Sequence, residues 1–255
     1  MIPRNALVVV MALLLQDAVT PPPPVLGLDP FYRKHLDAGG LPIVSSERVP
    51  DLALREAQAI VLRMTSKRPD ILKSMIESKT RLAIMAKVEV TTDIPEHRDL
   101  NTAFPRTDWN KCCRGVGATR VRPACSATEE NLLQLDDDPY RGESILIHEL
   151  GHTMLVMGLD VREPTFRADA VAAYKNAMAK SLFKNTYAAT NIDEYWAEGV
   201  QNWFDANLKA KPANGIHNEI GTRIELKKYD PGLAALLDRV FGDDEWRWKP
   251  PRRKS

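Results

Sequence analysis

Apolar residues recur at helical spacing in several stretches of the chain. Helices are predicted at residues 51–64 and 69–76, the second with a proline in its first turn, and at residues 166–182. Residues 145–157 form a further apolar segment of helical length. Residues 82–90 end in strict alternation of apolar and polar positions, which predicts a strand with one face covered. This mixture of helices and short strands predicts an α+β fold.

A second alternating stretch, residues 114–123, contains Gly115 and Gly117 and ends at Pro123. These features are typical of an edge strand or a rim loop. If the protein cleaves peptides, an extended peptide can add to that edge as a further strand. An ordinary edge that binds nothing explains the pattern equally well.

The chain starts with features of an export signal. Residues 6–15 form an unbroken apolar run, which is too short to span a bilayer and has the length of a signal core. We predict a secretory signal at residues 1–20, cleaved near Ala18 or Thr20; an ordered helix or an uncleaved anchor is the alternative. The Pro-rich segment at residues 21–50 then reads as a linker.

Length and charge narrow the possible functions. A chain of 255 residues can bury a core without a disulfide framework, and we expect one folded domain at residues 51–245, followed by a basic tail at residues 246–255. The net charge is +1 and no basic stripe is interleaved with aromatic residues, which argues against nucleic-acid binding. We expect a monomer without stable membrane association once the signal is removed.

The chain has three cysteines, Cys112, Cys113 and Cys125. In an exported protein, one disulfide can close the short loop from Cys112 or Cys113 to Cys125 and leave an odd thiol. We take Cys113 with Cys125 as the candidate pair. Metal binding is the less favoured interpretation, because adjacent cysteines rarely chelate one zinc ion together.

The apolar segment at residues 145–157 contains the pattern H-E-x-x-H at residues 148–152. Residues four apart lie on the same helix face, so the imidazoles of His148 and His152 can reach one metal ion. Glu149 lies about 100° round the helix, beside a water that such a metal would carry. Helical histidine pairs also occur without metal, so the interpretation depends on a third ligand.

A catalytic zinc site needs three protein ligands and an open fourth position. One familiar arrangement places a third histidine six residues after the second, but that position is Gly158 here. The remaining histidines, His35, His97 and His217, stand alone in the sequence. The third ligand is therefore expected from another residue type.

The better candidate is a predicted helix at residues 191–204. Glu194 and Glu198 are four apart and share one helix face, and aromatic residues supply much of the rest. Two carboxylates that face a core are costly unless a cation meets them, and a zinc ion with its histidines would do so. Alternatively, Asn191 and Glu194 form a capping box, which would explain Glu194 but not Glu198.

Together with Tyr187, seven residues before Glu194, these motifs give residues 145–204 a recognisable pattern. The pattern resembles the gluzincin-type zinc peptidases typified by anthrax lethal factor, with the clostridial Pro-Pro endopeptidases as relatives. The resemblance implies a two-lobed, zincin-like domain with a small mixed sheet and the active-site helix in one lobe and a mainly helical second lobe. It also implies zinc ligands at His148, His152 and Glu194, a general base at Glu149, a transition-state stabiliser at Tyr187 and an outer-shell carboxylate at Glu198.

We therefore expect a secreted, zinc-dependent endopeptidase that acts on a peptide or protein. Water held by Zn²⁺ and activated by Glu149 would attack the peptide carbonyl. Two alternatives remain open at this point: an inactive module that holds zinc and captures peptides, and an exported structural protein whose H-E-x-x-H pattern is a coincidence.

Overall fold

The structure is a computed structural model that describes residues 18–251. Its sheet has four strands in the order β1 (Lys34–Ala38), β2 (Leu41–Ser45), β3 (Arg81–Met85) and β4 (Ala124–Thr128). The first pair is antiparallel, whereas β2 with β3 and β3 with β4 are parallel. The mixed sheet and the helices that surround it confirm the predicted α+β class.

The β1–β2 hairpin lies inside the segment that we predict as a linker, residues 21–50. Its turn uses Gly39 and Gly40, whose φ angles of +67° and +96° are in the left-handed region that glycine adopts without strain. Thr20 extends the pairing through a bridge to His35. The folded domain therefore begins before residue 51, and the predicted signal falls outside the described residues except for residues 18–20.

The strand predicted at residues 82–90 is shorter and more buried than the sequence pattern indicates. It ends at Met85, and its residues from Leu82 onward are fully buried because alternate residues pack into two different apolar clusters, Leu82 and Ile84 in one and Ala83 and Met85 in the other. The chain then turns, and the Glu89 carboxylate accepts a hydrogen bond of 2.7 Å from the Ala86 backbone. Val88 is 74% exposed, so the alternation there marks a turn rather than a strand.

Helices account for most of the remaining structure, and those predicted at residues 51–64 and 69–76 are confirmed. The one predicted at residues 166–182 ends three residues early. The α-helices are α1 (Asp51–Thr65), α2 (Pro69–Glu77), α3 (Leu100–Ala103), α4 (Trp109–Cys112), α5 (Glu129–Leu132), α6 (Ile145–Thr153), α7 (Asp160–Arg162), α8 (Phe166–Ala179), α9 (Ile192–Trp203), α10 (Arg223–Tyr229) and α11 (Pro231–Phe241). Short 3₁₀ helices lie at Pro24–Leu26, Thr91–Asp93, Pro95–His97 and Tyr187–Ala189.

Helix α6 continues without a break into a π-helix at Met154–Leu159 and then into α7. Gly158 lies in this π-helix and allows a close approach to α2, because a Cβ there would be 2.4 Å from the Ile71 side chain. Ser74 of α2 donates a hydrogen bond of 2.8 Å to the Met157 carbonyl. The residues that follow α6 therefore pack against α2.

One cluster of buried apolar residues joins the sheet, α6, α9 and α11. Trp248 belongs to it, with 9% of its surface exposed, and its backbone N–H donates to the Phe204 carbonyl at 2.8 Å. The predicted tail at residues 246–255 is therefore part of the fold at its start, and residues 252–255 lie outside the described residues. Within residues 18–251, no helix combines the length and apolarity that crossing a bilayer requires.

Candidate metal centre

Helix α6 is fixed at its start by Ser144. The Ser144 hydroxyl accepts the Ile147 N–H at 3.4 Å, and its own backbone N–H donates to the Ala206 carbonyl at 3.0 Å. Leu146, Ile147 and Leu150 of this helix point into the core. As a result the polar residues of the H-E-x-x-H motif lie on the opposite side, against α9.

Helix α9 carries the third candidate ligand and packs tightly on α6. The Asn191 side chain accepts the backbone N–H groups of Asp193 and Glu194, both at 2.9 Å, and so caps the helix. The Glu194 carboxylate turns towards α6, so the capping-box alternative does not account for it. At the contact between the helices, Trp196 donates from its indole N–H to the Gly151 carbonyl at 3.0 Å.

Three side chains converge where α6 meets α9. The Nε2 atoms of His148 and His152 are 3.0 Å apart, and the Glu194 Oε2 atom lies 3.1 Å from the first and 3.2 Å from the second. Ligands at zinc bond lengths in a tetrahedral site are about 3.3–3.4 Å from one another. This triangle therefore fits a zinc ion. Among residues 18–251, no other group of His, Cys, Asp and Glu side chains converges in this way.

The electrostatics of Glu194 also suit a cation. Burial by itself raises the pKa of this carboxyl, but hydrogen bonds and charge interactions with His148 and His152 outweigh burial and hold the pKa well below its usual value. Glu194 is therefore an anion at neutral pH, as a metal ligand must be.

Glu149 lies beside this triangle and is partly buried. Burial raises the pKa of its carboxyl, while the neighbouring imidazoles of His148 and His152 act in the opposite direction. The backbone N–H of Gly117 donates a hydrogen bond to the carboxyl group. Glu149 is thus oriented by its own helix from one side and by the segment around Gly117 from the other.

The segment at residues 114–118 crosses α6 at the edge of the sheet. Val116 pairs with Ser126 of β4 through two backbone hydrogen bonds of 2.8 and 3.3 Å, an isolated antiparallel bridge. Ala118 is anchored to α6 through a hydrogen bond of 2.9 Å from its N–H to the Thr153 hydroxyl. Of the edge strand or rim loop predicted at residues 114–123, the structure has the loop, with one bridge to β4.

Glycines allow this segment to lie directly on the active-site helix. A Cβ at Gly115 would be 2.8 Å from the Glu149 Cγ atom, and one at Gly117 would be 2.7 Å from the His152 Cβ atom. Real Cβ atoms do not approach neighbours this closely, so larger residues at these positions would displace either the segment or the motif side chains.

Tyr187 lies at the exposed side of the triangle, with 41% of its surface accessible. Its ring stacks on His148, with ring centroids 6.2 Å apart, and its hydroxyl forms a hydrogen bond with Glu194. Burial of the ring, followed by the negative charge of Glu194, raises the pKa of the phenol. Tyr187 therefore keeps its proton at neutral pH and can act as a donor.

The interior side of His148 is held by a residue that the sequence analysis did not assign to the site. The Nδ1 atom of His148 is 2.8 Å from the Gln201 Oε1 atom, whereas the nearest oxygen of Glu198 is 3.7 Å away. The Glu198 carboxylate accepts a hydrogen bond from Asn207 at 2.8 Å. Glu198 lies beside the ring where the resemblance puts it, and its supporting role stays a prediction.

Gln201 could have been found from its spacing. It is seven residues after Glu194, which places both on one face of α9. Behind it lies the buried Glu143, whose pKa is raised to about 7 by burial and then by the charge of Glu198. His217 is 3.7 Å from the Glu143 carboxylate.

The cysteines are arranged differently from the prediction. Cys112 and Cys113 form a disulfide with each other in the loop that follows α4, and Cys125 is an unpaired buried thiol. Cys125 lies in β4 beneath α6, where its thiol contacts Thr153 and burial raises its pKa. The predicted pair of Cys113 with Cys125 is therefore wrong, because one cysteine is in the core and the other is in a surface loop.

Comparisons with known proteins add one structural similarity. No protein-family model matches the chain, and no curated protein matches it. Among solved structures, the chain is similar to that of the Pro-Pro endopeptidase PPEP-2 from Paenibacillus alvei, with 17% sequence identity and a TM-score of 0.43. The match covers 79% of this chain and 97% of that one. A similarity at this level carries no weight for function, which is judged below from the site itself.

Proposed function

We propose that the chain is a zinc-dependent endopeptidase of the type represented by anthrax lethal factor. One observation carries this proposal: two imidazoles and a carboxylate from separate helices converge within 3.2 Å of one another, with Glu149 beside them. His148, His152 and Glu194 would hold the ion. Bound zinc would lower the pKa of a water molecule towards neutrality and polarise the carbonyl of the substrate.

The side chains around the triangle have separate tasks in this proposal. The Glu149 carboxylate removes a proton from the attacking water and later transfers it to the departing amine. Its raised pKa suits it to both steps. The Tyr187 hydroxyl, which is protonated, donates to the oxygen that becomes negative as the carbonyl is attacked.

The proposed substrate is an extended peptide. Val116 uses its backbone groups to pair with β4, so those of the alternate residues Gly115 and Gly117 point to the other side. The Gly117 N–H donates to Glu149 there, and the proposed peptide would pair with the remaining groups of this edge. An extended peptide that pairs with this outer edge would pass its backbone over the metal ligands. The two glycines let the segment lie against α6, so that this edge is close to Glu149 and His152.

We further propose that the protein is exported and acts as a monomer. The predicted signal at residues 1–20 supports export, and the disulfide between Cys112 and Cys113 suits an oxidising compartment. N-terminal sequencing of the protein recovered outside the cells should begin near Ala18 or Thr20. Sedimentation at two concentrations tests the monomer.

The central test compares metal content and hydrolysis in three proteins: the wild type, Glu194→Ala and Glu47→Ala. Glu47 is an exposed glutamate of the β1–β2 region and serves as a matched control. We expect one zinc per chain and cleavage of a denatured-protein pool for the wild type and the control, and loss of both for Glu194→Ala. A zinc-free wild type contradicts the proposal; zinc without cleavage would instead indicate a peptide-capturing module.

A further inference from the structure

The Gln201 side chain uses both its amide oxygen and its amide nitrogen in hydrogen bonds. Its Oε1 atom faces the His148 Nδ1 atom at 2.8 Å. Its amide nitrogen donates to the Ser144 carbonyl at 3.3 Å and also to the Glu143 carboxyl group. A glutamine amide has two donor hydrogens and an oxygen with two lone pairs, so these three partners use both donors and one lone pair.

These partners fix the direction of the amide. If it were flipped, Oε1 would face the Ser144 carbonyl oxygen at 3.3 Å, and one acceptor would oppose another. Gln201 is only 1% exposed, so water cannot relieve that mismatch. The acceptor oxygen must therefore point at His148.

The fixed amide in turn determines the protonation of the His148 ring. A neutral imidazole carries its proton on one nitrogen and a lone pair on the other. With Gln201 Oε1 accepting at Nδ1, one proton is on Nδ1, so the neutral ring that a metal binds has its lone pair on Nε2. That nitrogen is the one that lies 3.0 Å from His152 and 3.1 Å from Glu194.

We propose that Glu143 and Gln201 form a positioning pair that holds His148 with its proton on Nδ1 and so presents Nε2 to the metal. The pair acts through His148 and contacts neither metal nor substrate. This inference rests on the proposed metal site and assigns the support of His148 to Gln201 rather than to Glu198. Helix α9 then holds both nitrogens of one ring, through Glu194 on one side and Gln201 on the other.

The first experiment measures zinc affinity by competition with a chelator. Gln201→Leu keeps the size of the side chain and removes the acceptor, and we expect zinc binding to weaken about 10–100-fold, the usual cost of losing such a partner. Gln58→Leu is the matched control: Gln58 donates a hydrogen bond of 2.6 Å to the Asp37 carbonyl, far from the site. It should bind zinc as the wild type does.

Two outcomes of that experiment overturn the inference: wild-type affinity in Gln201→Leu, or a larger loss in Glu198→Gln than in Gln201→Leu. If Gln201→Leu does not fold, a second set of variants, which exchanges the residue types at positions 143 and 201, takes its place. Gln201→Glu keeps an acceptor at Nδ1 but places two carboxylates together, so it should bind zinc more weakly than the double variant with Glu143→Gln, in which an amide donor faces the new carboxylate. A double variant that binds zinc no better than Gln201→Glu also overturns the pairing.

A second measurement needs neither metal nor activity. In proton NMR spectra of the metal-free chain, the hydrogen-bonded Nδ1–H of His148 should give a protected imidazole resonance that is present in Gln58→Leu and lost in Gln201→Leu. If the resonance survives in Gln201→Leu, the inference is wrong. Since this readout is independent of zinc, a wild type that binds no zinc but shows the resonance would contradict the proposed function alone.

Discussion

The two sides of the His148 ring differ in what their atoms require. On the outer side, the ring nitrogen faces His152 and Glu194, so lone pairs and a negative charge point at one spot. On the inner side, Nδ1 meets Gln201 in an ordinary donor–acceptor contact within the core. The outer side could hold a cation, whereas the inner side is already satisfied. In the proposed site, one nitrogen of the imidazole would bind the metal, and the other holds the ring in position.

The largest effect should come from the outer side, at Glu149. Glu149→Gln keeps the shape of the side chain and removes the base, so we expect kcat to fall about 10²–10⁴-fold with zinc still bound. Initial-rate kinetics and metal analysis on the same preparation check this. Near-full activity in the variant would remove Glu149 from the mechanism.

Tyr187 should give the next largest effect. Tyr187→Phe keeps the ring on His148 and removes only the hydroxyl, so we expect kcat to fall about 10²-fold, in the range for losing one oxyanion donor. KM should change little, because the contact strengthens in the transition state. An unchanged kcat excludes the role, and Tyr32→Phe, whose hydroxyl donates to Glu96, is a control for loss of a tyrosine hydroxyl.

A smaller effect is expected on the inner side, at Glu198. Glu198→Ala should weaken zinc binding by about tenfold or less, below the usual range for a direct partner of a ligand, because its oxygen is 3.7 Å from the ring. Chelator competition measures this. A loss of affinity greater than that of Gln201→Leu would mean that Glu198 supports His148 more than Gln201 does.

The smallest effect concerns pH and Glu143. Its pKa of about 7 in the folded chain exceeds its ordinary value of 4.5; burial and the charges of Glu198 and Asp138 raise it, and His148 acts against them. Between those pH values the folded chain binds the proton more tightly than the unfolded chain does, so its stability should fall as pH rises through this interval.

Glu143→Gln should flatten this part of the pH dependence. The measurement is urea unfolding of the metal-free wild type and variant at pH values across the interval. His217, which lies 3.7 Å from the carboxylate, faces the same region, so His217→Gln is a companion variant that should leave the Glu143 contribution in place. Parallel pH profiles for the wild type and Glu143→Gln would contradict the assignment.

The sequence was most informative where one element carries the whole pattern. In α6, residues 148–152 place both histidines and Glu149 by helix geometry alone, so no knowledge of distant contacts is needed. Glu194 could be inferred as a ligand because two carboxylates on one face of a helix that packs on the core are costly unless a cation lies near them. The structure brings it to the histidines and explains its orientation, since Asn191 caps α9 without it.

Features that depend on distant contacts could not be predicted. The spacing of α9 places Gln201 on the same face as Glu194, but its contact with the Ser144 carbonyl, which fixes the amide, is not encoded in any local pattern. The β1–β2 hairpin was not predicted, because its strands are short and lie in a proline-rich stretch of the sequence. The cysteine arrangement likewise depends on β4 lying beneath α6, which isolates Cys125 from the surface loop.

The π-helix at Met154–Leu159 has a consequence for how the metal and the fold depend on each other. It leads the chain after His152 into the contact of Gly158 with Ile71, so that stretch is occupied by core packing. The third candidate ligand, Glu194, is on α9, so an ion bound by all three side chains would link α6 to α9. Metal loading should therefore raise the melting temperature of the whole domain, since a ligand that binds only the folded chain stabilises it.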